Sequence, residues 1–166
     1  LKWDQPVTAA YPAFKLGSDA TTAQVLVKHL VCACTGLPRK DMQWLFNSSG
    51  KTPASDTFAQ LAATEPTSNF GEVFQYNNLM ASAAGYVGAY LVYPKQELGV
   101  AFDRAMDEKV FKPLGMTATT FDFARAMGGD WARPHADGAD GSPVSMGTAA
   151  EPFNRAVIPY RPAGGA

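Results

Sequence analysis

The residues from Asn78 to Val92 include no charged side chain, and small residues recur through them. These small residues are Ala81, Ala84, Gly85, Gly88 and Ala89. Each glycine costs a helix about 1 kcal/mol relative to alanine, so tertiary packing must compensate. The pattern predicts a buried central helix that neighbouring backbone approaches closely. Its apolar part, Leu79 to Val92, is shorter than the roughly 20 residues that span a bilayer, so we expect no membrane span.

The whole chain has the composition of one globular domain with a core of its own. It has 166 residues, of which 46% are hydrophobic and 17% charged, and its net charge is -1. That charge gives no reason to expect a nucleic acid or an anionic membrane as partner. The chain begins at Leu1 and not at Met, and we interpret it as one piece of a larger protein.

Apolar periodicity and capping signals predict a mainly helical α+β arrangement. Expected helices run from Thr21 to before Gly36, from Asp41 to Phe46, from Ser55 to before Pro66, from Asn78 to Val92 and from Glu97 to Phe111. Short strands are expected at Pro143 to Met146 and at Ala156 to Tyr160. The strands thus lie near the C-terminal end of an otherwise helical chain.

Cys32 and Cys34 are the two cysteines of the chain, and they lie inside the first expected helix. Side chains two residues apart on a helix point to different sides, which disfavours a bond between them. No second cysteine pair is present to complete a tetrahedral metal site. The sequence therefore predicts two buried free thiols.

The stretch FNSSGKTP, Phe46 to Pro53, contains fragments of two catalytic motifs. A phosphate-binding loop needs a glycine at the position that Leu45 occupies, so we do not expect nucleotide binding. Ser48 and Lys51 have S-x-x-K spacing, but the glycine between them and the following proline favour a solvated loop. We therefore do not expect Ser48 to be a nucleophile.

Other polar residues are assigned structural roles. His135, Asp137 and Asp140 lie among Asp-Gly pairs, which favour hairpin turns over a metal site. His29 is expected to be packed or to cap a helix. Arg39, with the lysine after it, is expected on a solvated face.

Four segments in order carry a resemblance to a known family: WDQPV, VLVKHLVCACTGLPR, FGEVFQYNNLM and VFKPLGMTATTF. Together they resemble the serine β-lactamase-like superfamily of class C β-lactamases, D-alanyl-D-alanine peptidases and related esterases. The chain departs from the family pattern at Ala33 to Gly36, where H-T-S-G is common. It also departs at Asn77, where serine or alanine is usual in Y-x-N.

The resemblance implies a site at the Y-x-N motif. Tyr76 is then the catalytic tyrosine, whose oxygen helps to move the proton of the nucleophilic serine. Asn78 is the substrate-binding asparagine, which hydrogen-bonds the substrate amide and the S-x-x-K lysine. No metal or organic cofactor is implied, and the partner is a small acyl substrate.

The resemblance also implies that residues 1–166 are the central, mainly helical part of such an enzyme. The S-x-x-K helix would precede Leu1, and the K-T-G or H-x-G strand would follow Ala166. A companion chain or missing segments would then carry the nucleophilic serine. Many relatives act in the periplasm or outside the cell.

Two functions remain open from the sequence. The first is a serine hydrolase that acts through an acyl-enzyme on a β-lactam, a D-amino-acid peptide or a short acyl ester. The second is a catalytically inert binding or structural domain derived from the same fold. The residues of this chain do not select among the three substrate classes.

Overall fold

The computed structural model describes residues 1–145 and 155–164, and for residues 43–45 the backbone alone. In chain order the α-helices are α1 Val7–Ala10, α2 Asp19–Gln24, α3 Asp41–Asn47, α4 Asp56–Ala62, α5 Asn78–Val92, α6 Leu98–Met106 and α7 Phe123–Met127. A 3₁₀ turn, Val27–Leu30, follows α2, and a π-helical turn, Asp107–Phe111, continues α6. Strands β1 His135–Asp137 and β2 Pro143–Ser145 precede a 3₁₀ helix, Ile158–Ala163.

Helix α5 is the centre of the fold, as its uncharged sequence predicted. It packs against α4, α6, the 3₁₀ turn Val27–Leu30 and the 3₁₀ helix Ile158–Ala163. Tyr86 and Ala83 on α5 are 0% exposed, and Leu79 and Val87 are 1% exposed. Burying such side chains contributes about 1.5–3 kcal/mol each, which offsets the helix cost of the glycines.

Gly85 is where the expected close approach occurs. A Cβ atom at this position would lie 2.4 Å from Cβ of Pro162 and 3.0 Å from a ring carbon of Phe102. A Cβ atom at Gly88, one turn later, would have none of the neighbouring atoms within 4 Å. The requirement for glycine is therefore specific to Gly85, where the 3₁₀ helix Ile158–Ala163 crosses α5.

The helix expected from Thr21 to before Gly36 is wrong beyond Gln24. Ser18 caps α2 by accepting a hydrogen bond of 3.2 Å from the Thr21 amide, and the helix ends at Gln24. Val25 is extended, and its carbonyl accepts a hydrogen bond of 3.0 Å from the Val7 amide. β-Branched valines favour this pairing with a distant segment over continuation of the helix.

The two C-terminal strand predictions have different outcomes. Residues Pro143–Ser145 form β2, which pairs antiparallel with β1, Ala136 lying opposite Val144. Met146 lies outside the described residues. The strand expected at Ala156 to Tyr160 is wrong, because Ile158–Ala163 is a 3₁₀ helix with proline at its start. Proline has no amide hydrogen for a strand ladder and suits the first turn of a helix.

Two further predicted helices are confirmed. The expected helix from Asp41 to Phe46 is α3, and the one from Glu97 to Phe111 is α6 with its π-helical continuation. Within the described residues, none of these helices is both long enough and apolar enough to traverse a bilayer.

Candidate functional site

The Y-x-N motif lies at the start of α5, and Asn77 forms the N-cap of that helix. The side-chain oxygen of Asn77 accepts a hydrogen bond of 3.0 Å from the Met80 amide. Asn77 is extended, with φ -145°, and is 8% exposed. The residue that departs from the family pattern therefore has a structural role, which leaves Tyr76 and Asn78 on either side of it.

The loop from Ala33 to Pro38 holds both neighbours of Tyr76. The Gln75 amide donates a hydrogen bond of 2.8 Å to the carbonyl oxygen of Ala33. The Asn77 side-chain amide donates one of 2.9 Å to the carbonyl oxygen of Pro38. Tyr76 is therefore fixed along the backbone at both ends, although its own side chain is 50% exposed.

Arg39 packs over the ring of Tyr76. Its guanidinium carbon lies 5.3 Å from the ring centroid, within the range of a cation–π contact. Arg39 also forms an ion pair with Asp41, at the first turn of α3. Arg39 is exposed, as expected, but it also restrains the Tyr76 ring, a contact that the sequence did not reveal.

Asp41 orients the second residue of the motif. The Asn78 amide nitrogen donates a hydrogen bond of 3.1 Å to Oδ1 of Asp41. A carboxylate only accepts hydrogen bonds, so this contact determines which end of the Asn78 amide is the nitrogen. The Asn78 carbonyl oxygen is then left on the other side of the amide.

Tyr76 and Asn78 line one cavity of about 230 Å³ between residues 30–33 and the start of α5. Its lining consists of Leu30, Val31, Cys32, Ala33, Phe74, Tyr76, Asn77, Asn78, Ala81 and Ala163. Among these described residues there is no serine or lysine. The cavity therefore offers a phenol and an amide to a ligand, and a nucleophilic hydroxyl has to come from elsewhere.

The prediction of free thiols is wrong: Cys32 and Cys34 form a disulfide. Their Cα atoms lie 5.2 Å apart, within the range of disulfides. The residues are not helical, and Ala33 between them has φ +54° in the left-handed region. The assumed helical geometry, in which the two side chains diverge, was the source of the error.

The remaining polar candidates have the structural roles expected of them. Nδ1 of His29 accepts a hydrogen bond of 3.1 Å from the Leu26 amide and thereby caps the 3₁₀ turn. His135 and Asp137 lie on β1, and the Asp140 carboxylate accepts from the Ser142 amide at 3.0 Å in the hairpin turn. No group of three or more His, Cys, Asp or Glu residues in 1–145 and 155–164 could hold a metal ion.

Ser48 is held by a contact that follows from tertiary structure. Its hydroxyl donates a hydrogen bond of 2.9 Å to the carbonyl oxygen of Ala156. The following residues form a turn in which the Thr52 amide donates to the carbonyl oxygen of Ser49 at 3.0 Å. This geometry confirms a loop and not the helix that an S-x-x-K motif requires.

Comparison with protein families gives a match over the full chain. The family model described as Beta-lactamase matches residues 1–166. The chain belongs to the β-lactamase family. The resemblance in the four sequence segments is thereby confirmed, as is the α+β class of this β-lactamase-family chain.

Two solved structures are similar to this β-lactamase-family chain in fold. The octameric penicillin-binding protein homologue from Pyrococcus abyssi has a TM-score of 0.65 and 21% identity over 88% of the chain. A class C β-lactamase has a TM-score of 0.54 and 18% identity over 92% of the chain. The matches cover 33% and 38% of those two proteins, so the chain spans little more than a third of their length. A comparison with curated protein sequences gave no match.

Proposed function

We propose that this chain is part of a serine hydrolase that forms an acyl-enzyme with a small substrate. The substrate classes are a β-lactam, a D-amino-acid peptide or a short acyl ester. In this proposal Tyr76 is the catalytic residue of the segment and Asn78 is its substrate-binding residue. Membership of the β-lactamase family supports the reaction class, and the geometry around Tyr76 supports the two residues.

The observation that carries the proposal is the contrast between Tyr76 and its neighbours. Gln75 and Asn77 are each tied to the Ala33–Pro38 loop by a backbone carbonyl, at 2.8 and 2.9 Å. The Tyr76 ring remains 50% exposed at the cavity. An aromatic side chain with purely structural duties would gain more by being buried, since burial of a large ring is strongly favourable. A rigid backbone with an accessible phenol is what a positioned proton carrier needs.

The orientation of the Asn78 side chain supports its proposed role in substrate binding. Its nitrogen is committed to Asp41 at 3.1 Å, so its carbonyl oxygen can accept a hydrogen bond from a substrate amide N–H or from an ammonium group. Asp41 is itself held by an ion pair with Arg39 through its other carboxylate oxygen, so the acceptor of the Asn78 amide is positioned in advance. Preorganisation of this kind lowers the cost of binding.

The proposed chemistry needs a serine that the cavity lining does not supply. Its oxygen would attack the substrate carbonyl while Tyr76 helps to take up the hydroxyl proton. The leaving group would depart with a proton, and water would then hydrolyse the acyl-enzyme and regenerate the serine. We propose that residues 1–166 form the central part of the domain. The S-x-x-K helix and the K-T-G or H-x-G strand would come from further sequence or a companion chain.

The test uses the complete protein that contains this chain, with a fluorescent penicillin, a fluorophosphonate and p-nitrophenyl butyrate as probes. We expect a covalent adduct on one serine and measurable hydrolysis of at least one substrate. Tyr76→Phe should lower the acylation rate by about 100-fold, the lower end of what proton transfer contributes. Asn78→Ala should weaken substrate binding by about tenfold, the loss of one hydrogen bond.

Tyr93→Phe is the matched control, because Tyr93 lies at the opposite end of α5, about 22 Å from Asn78 at a rise of 1.5 Å per residue. Its hydroxyl bonds Glu108, and its replacement should leave acylation unchanged. A wild-type protein that forms no adduct with any probe would instead favour the inert binding domain. Intact mass under denaturing conditions shows whether the serine is on the same polypeptide, since this chain alone has 17.7 kDa.

A further inference from the structure

The disulfide Cys32–Cys34 lies beside the Y-x-N motif. Cys32 and Ala33 line the same cavity as Tyr76 and Asn78. Both cysteines are half-buried, so neither residue belongs to the fully buried core. A covalent bond between residues two apart does little to hold distant parts of a fold together, because the loop that it closes is very short. We therefore expect the disulfide to act locally, on the backbone around Ala33.

We propose that the Cys32–Cys34 disulfide positions Tyr76 and that its reduction by a dithiol lowers the rate of acylation. The proposal rests on the proposed function of Tyr76. It assigns the cysteine pair as a redox-sensitive positioning element, which acts on the reaction through the backbone of Ala33. The cysteines themselves do not touch the reacting atoms.

Ala33, between the two cysteines, has an unusual backbone conformation. Its φ of +54° is disfavoured for a residue with a Cβ atom. The flanking disulfide restricts the backbone to conformations that keep the two cysteine Cα atoms close, at 5.2 Å, and direct their Cβ atoms towards each other, which a right-handed helical turn does not do. Opening the disulfide removes that restriction, and Ala33 can then return to the right-handed or extended regions that alanine favours.

The conformation of Ala33 determines the direction of two carbonyl groups, those of Ala33 and Cys34. The Ala33 carbonyl accepts from the Gln75 amide at 2.8 Å, and the Cys34 carbonyl accepts from the Gly71 amide at 2.8 Å. Rotation about the Ala33 backbone turns both acceptors away from the segment that leads to Tyr76. Gln75 keeps its side-chain bonds to Ser68 and Thr67, at 2.8 and 2.9 Å, so the segment loosens but does not detach.

The reduction balances with a dithiol as the reductant. One thiolate of the dithiol attacks the sulfur of Cys32, a residue of the cavity lining, and Cys34 leaves as a thiolate and takes a proton. The second thiol of the reductant then attacks the mixed disulfide and releases Cys32 as a thiol. Two electrons pass to the cysteine pair, and the reductant becomes a cyclic disulfide. An oxidising compartment keeps the pair closed, and a reducing one opens it.

The test uses the complete protein and compares the oxidised form, the form treated with dithiothreitol, and the C32S/C34S double variant. We expect the acylation rate with a fluorescent penicillin to fall by about tenfold in the reduced form and in the double variant. The double variant should not respond to dithiothreitol, which separates this disulfide from any other. Binding of the penicillin before acylation should change less than the acylation rate does.

Two further variants separate positioning from general stability. In the Tyr76→Phe background, opening the disulfide should change the residual rate by less than about twofold, since the group it positions is already absent. Ala33→Gly added to C32S/C34S should recover part of the lost rate, because glycine adopts positive φ without a penalty. An equal loss of rate with and without the Tyr76 hydroxyl would overturn the proposal.

Amide hydrogen exchange tests the positioning role of the disulfide without a measurement of activity. Opening the disulfide should speed exchange of the Gln75 amide by about tenfold and leave the Met80 amide unchanged. If the oxidised wild type forms no adduct, the proposed function fails, and exchange at Gln75 alone then decides whether the disulfide positions this segment. Unchanged exchange at Gln75 on reduction would refute the positioning role in either case.

Discussion

The side-chain amide of Asn77 donates a hydrogen bond of 2.9 Å to the carbonyl oxygen of Pro38, a residue 39 positions earlier in the chain. The oxygen of the same side chain caps α5 through the Met80 amide. One buried side chain thus joins the Ala33–Pro38 loop to the start of the central helix. Because Tyr76 precedes Asn77 directly, the location of the candidate site depends on this connection.

Asn77→Ala should destabilise the protein by about 2 kcal/mol. The substitution removes an N-cap, which contributes about 1 kcal/mol, and leaves the part-buried Pro38 carbonyl without this donor. Chemical denaturation followed by circular dichroism measures the loss. Asn77→Ser retains a capping oxygen and should cost less than Asn77→Ala. Equal stabilities of the alanine variant and the wild type would contradict the capping role.

Gly85 and Gly88 should respond in opposite directions to alanine. Gly85→Ala places a Cβ atom 2.4 Å from Pro162 and should cost about 1–3 kcal/mol, the range for overpacking. Gly88→Ala meets no atom within 4 Å and should stabilise the helix by about 1 kcal/mol. Thermal unfolding of the two variants beside the wild type gives the comparison. A stabilising Gly85→Ala would show that the 3₁₀ helix Ile158–Ala163 does not cross α5 as described.

Alkaline pH should destabilise the protein through Tyr86. Burial raises the pKa of Tyr86 above its ordinary value, and its hydroxyl donates to the carbonyl oxygen of Pro159. An unfolded tyrosine ionises near pH 10. Below about pH 10 the contribution of Tyr86 to stability is therefore complete, and it declines as pH rises from there towards the raised folded pKa.

The measurement is the free energy of unfolding between pH 8 and pH 11, in wild type and in Tyr86→Phe. The variant should lose stability less steeply above about pH 10, because phenylalanine does not titrate. At neutral pH it should be less stable by about 1–3 kcal/mol, since the Pro159 carbonyl loses its donor. Tyr160, whose pKa burial and Asp56 also raise, should retain part of the slope. An unchanged slope in Tyr86→Phe would contradict the assignment.

Arg161 should anchor the 3₁₀ helix Ile158–Ala163 to α6. Its Nε and Nη2 atoms donate to the two carboxylate oxygens of Asp103, at 2.6 and 2.9 Å. The Arg161 side chain is 10% exposed and that of Asp103 is 39% exposed, so the pair is screened only in part. Arg161→Ala should cost about 2 kcal/mol, between the values for surface and buried ion pairs.

Arg161→Lys is the matched variant, because lysine retains the charge but cannot form the bidentate contact. Its stability should lie between those of the wild type and Arg161→Ala in urea denaturation. A double-mutant cycle with Asp103→Ala isolates the pairwise contribution. Additive losses in that cycle would show that the two side chains do not interact.

The sequence by itself determined the central helix and the family. The bounds of α5, Asn78–Val92, agree with those predicted from a run of uncharged, often small residues that ends before Tyr93 and Pro94. Such signals act between residues about four positions apart, so they can be found without knowing the fold. The four segments that carry the resemblance are likewise local, and they identified the β-lactamase family.

Only the tertiary structure decided the surroundings of Tyr76. The disulfide Cys32–Cys34 forms because the helix expected there ends at Gln24, where Val25 pairs with the distant Val7. The contacts of Pro38 with Asn77 and of Asp41 with Asn78 join residues 39 and 37 positions apart. Local propensity carries no information about which remote segments come into contact. These long-range contacts determine the backbone conformation at Ala33 and the orientation of the candidate site.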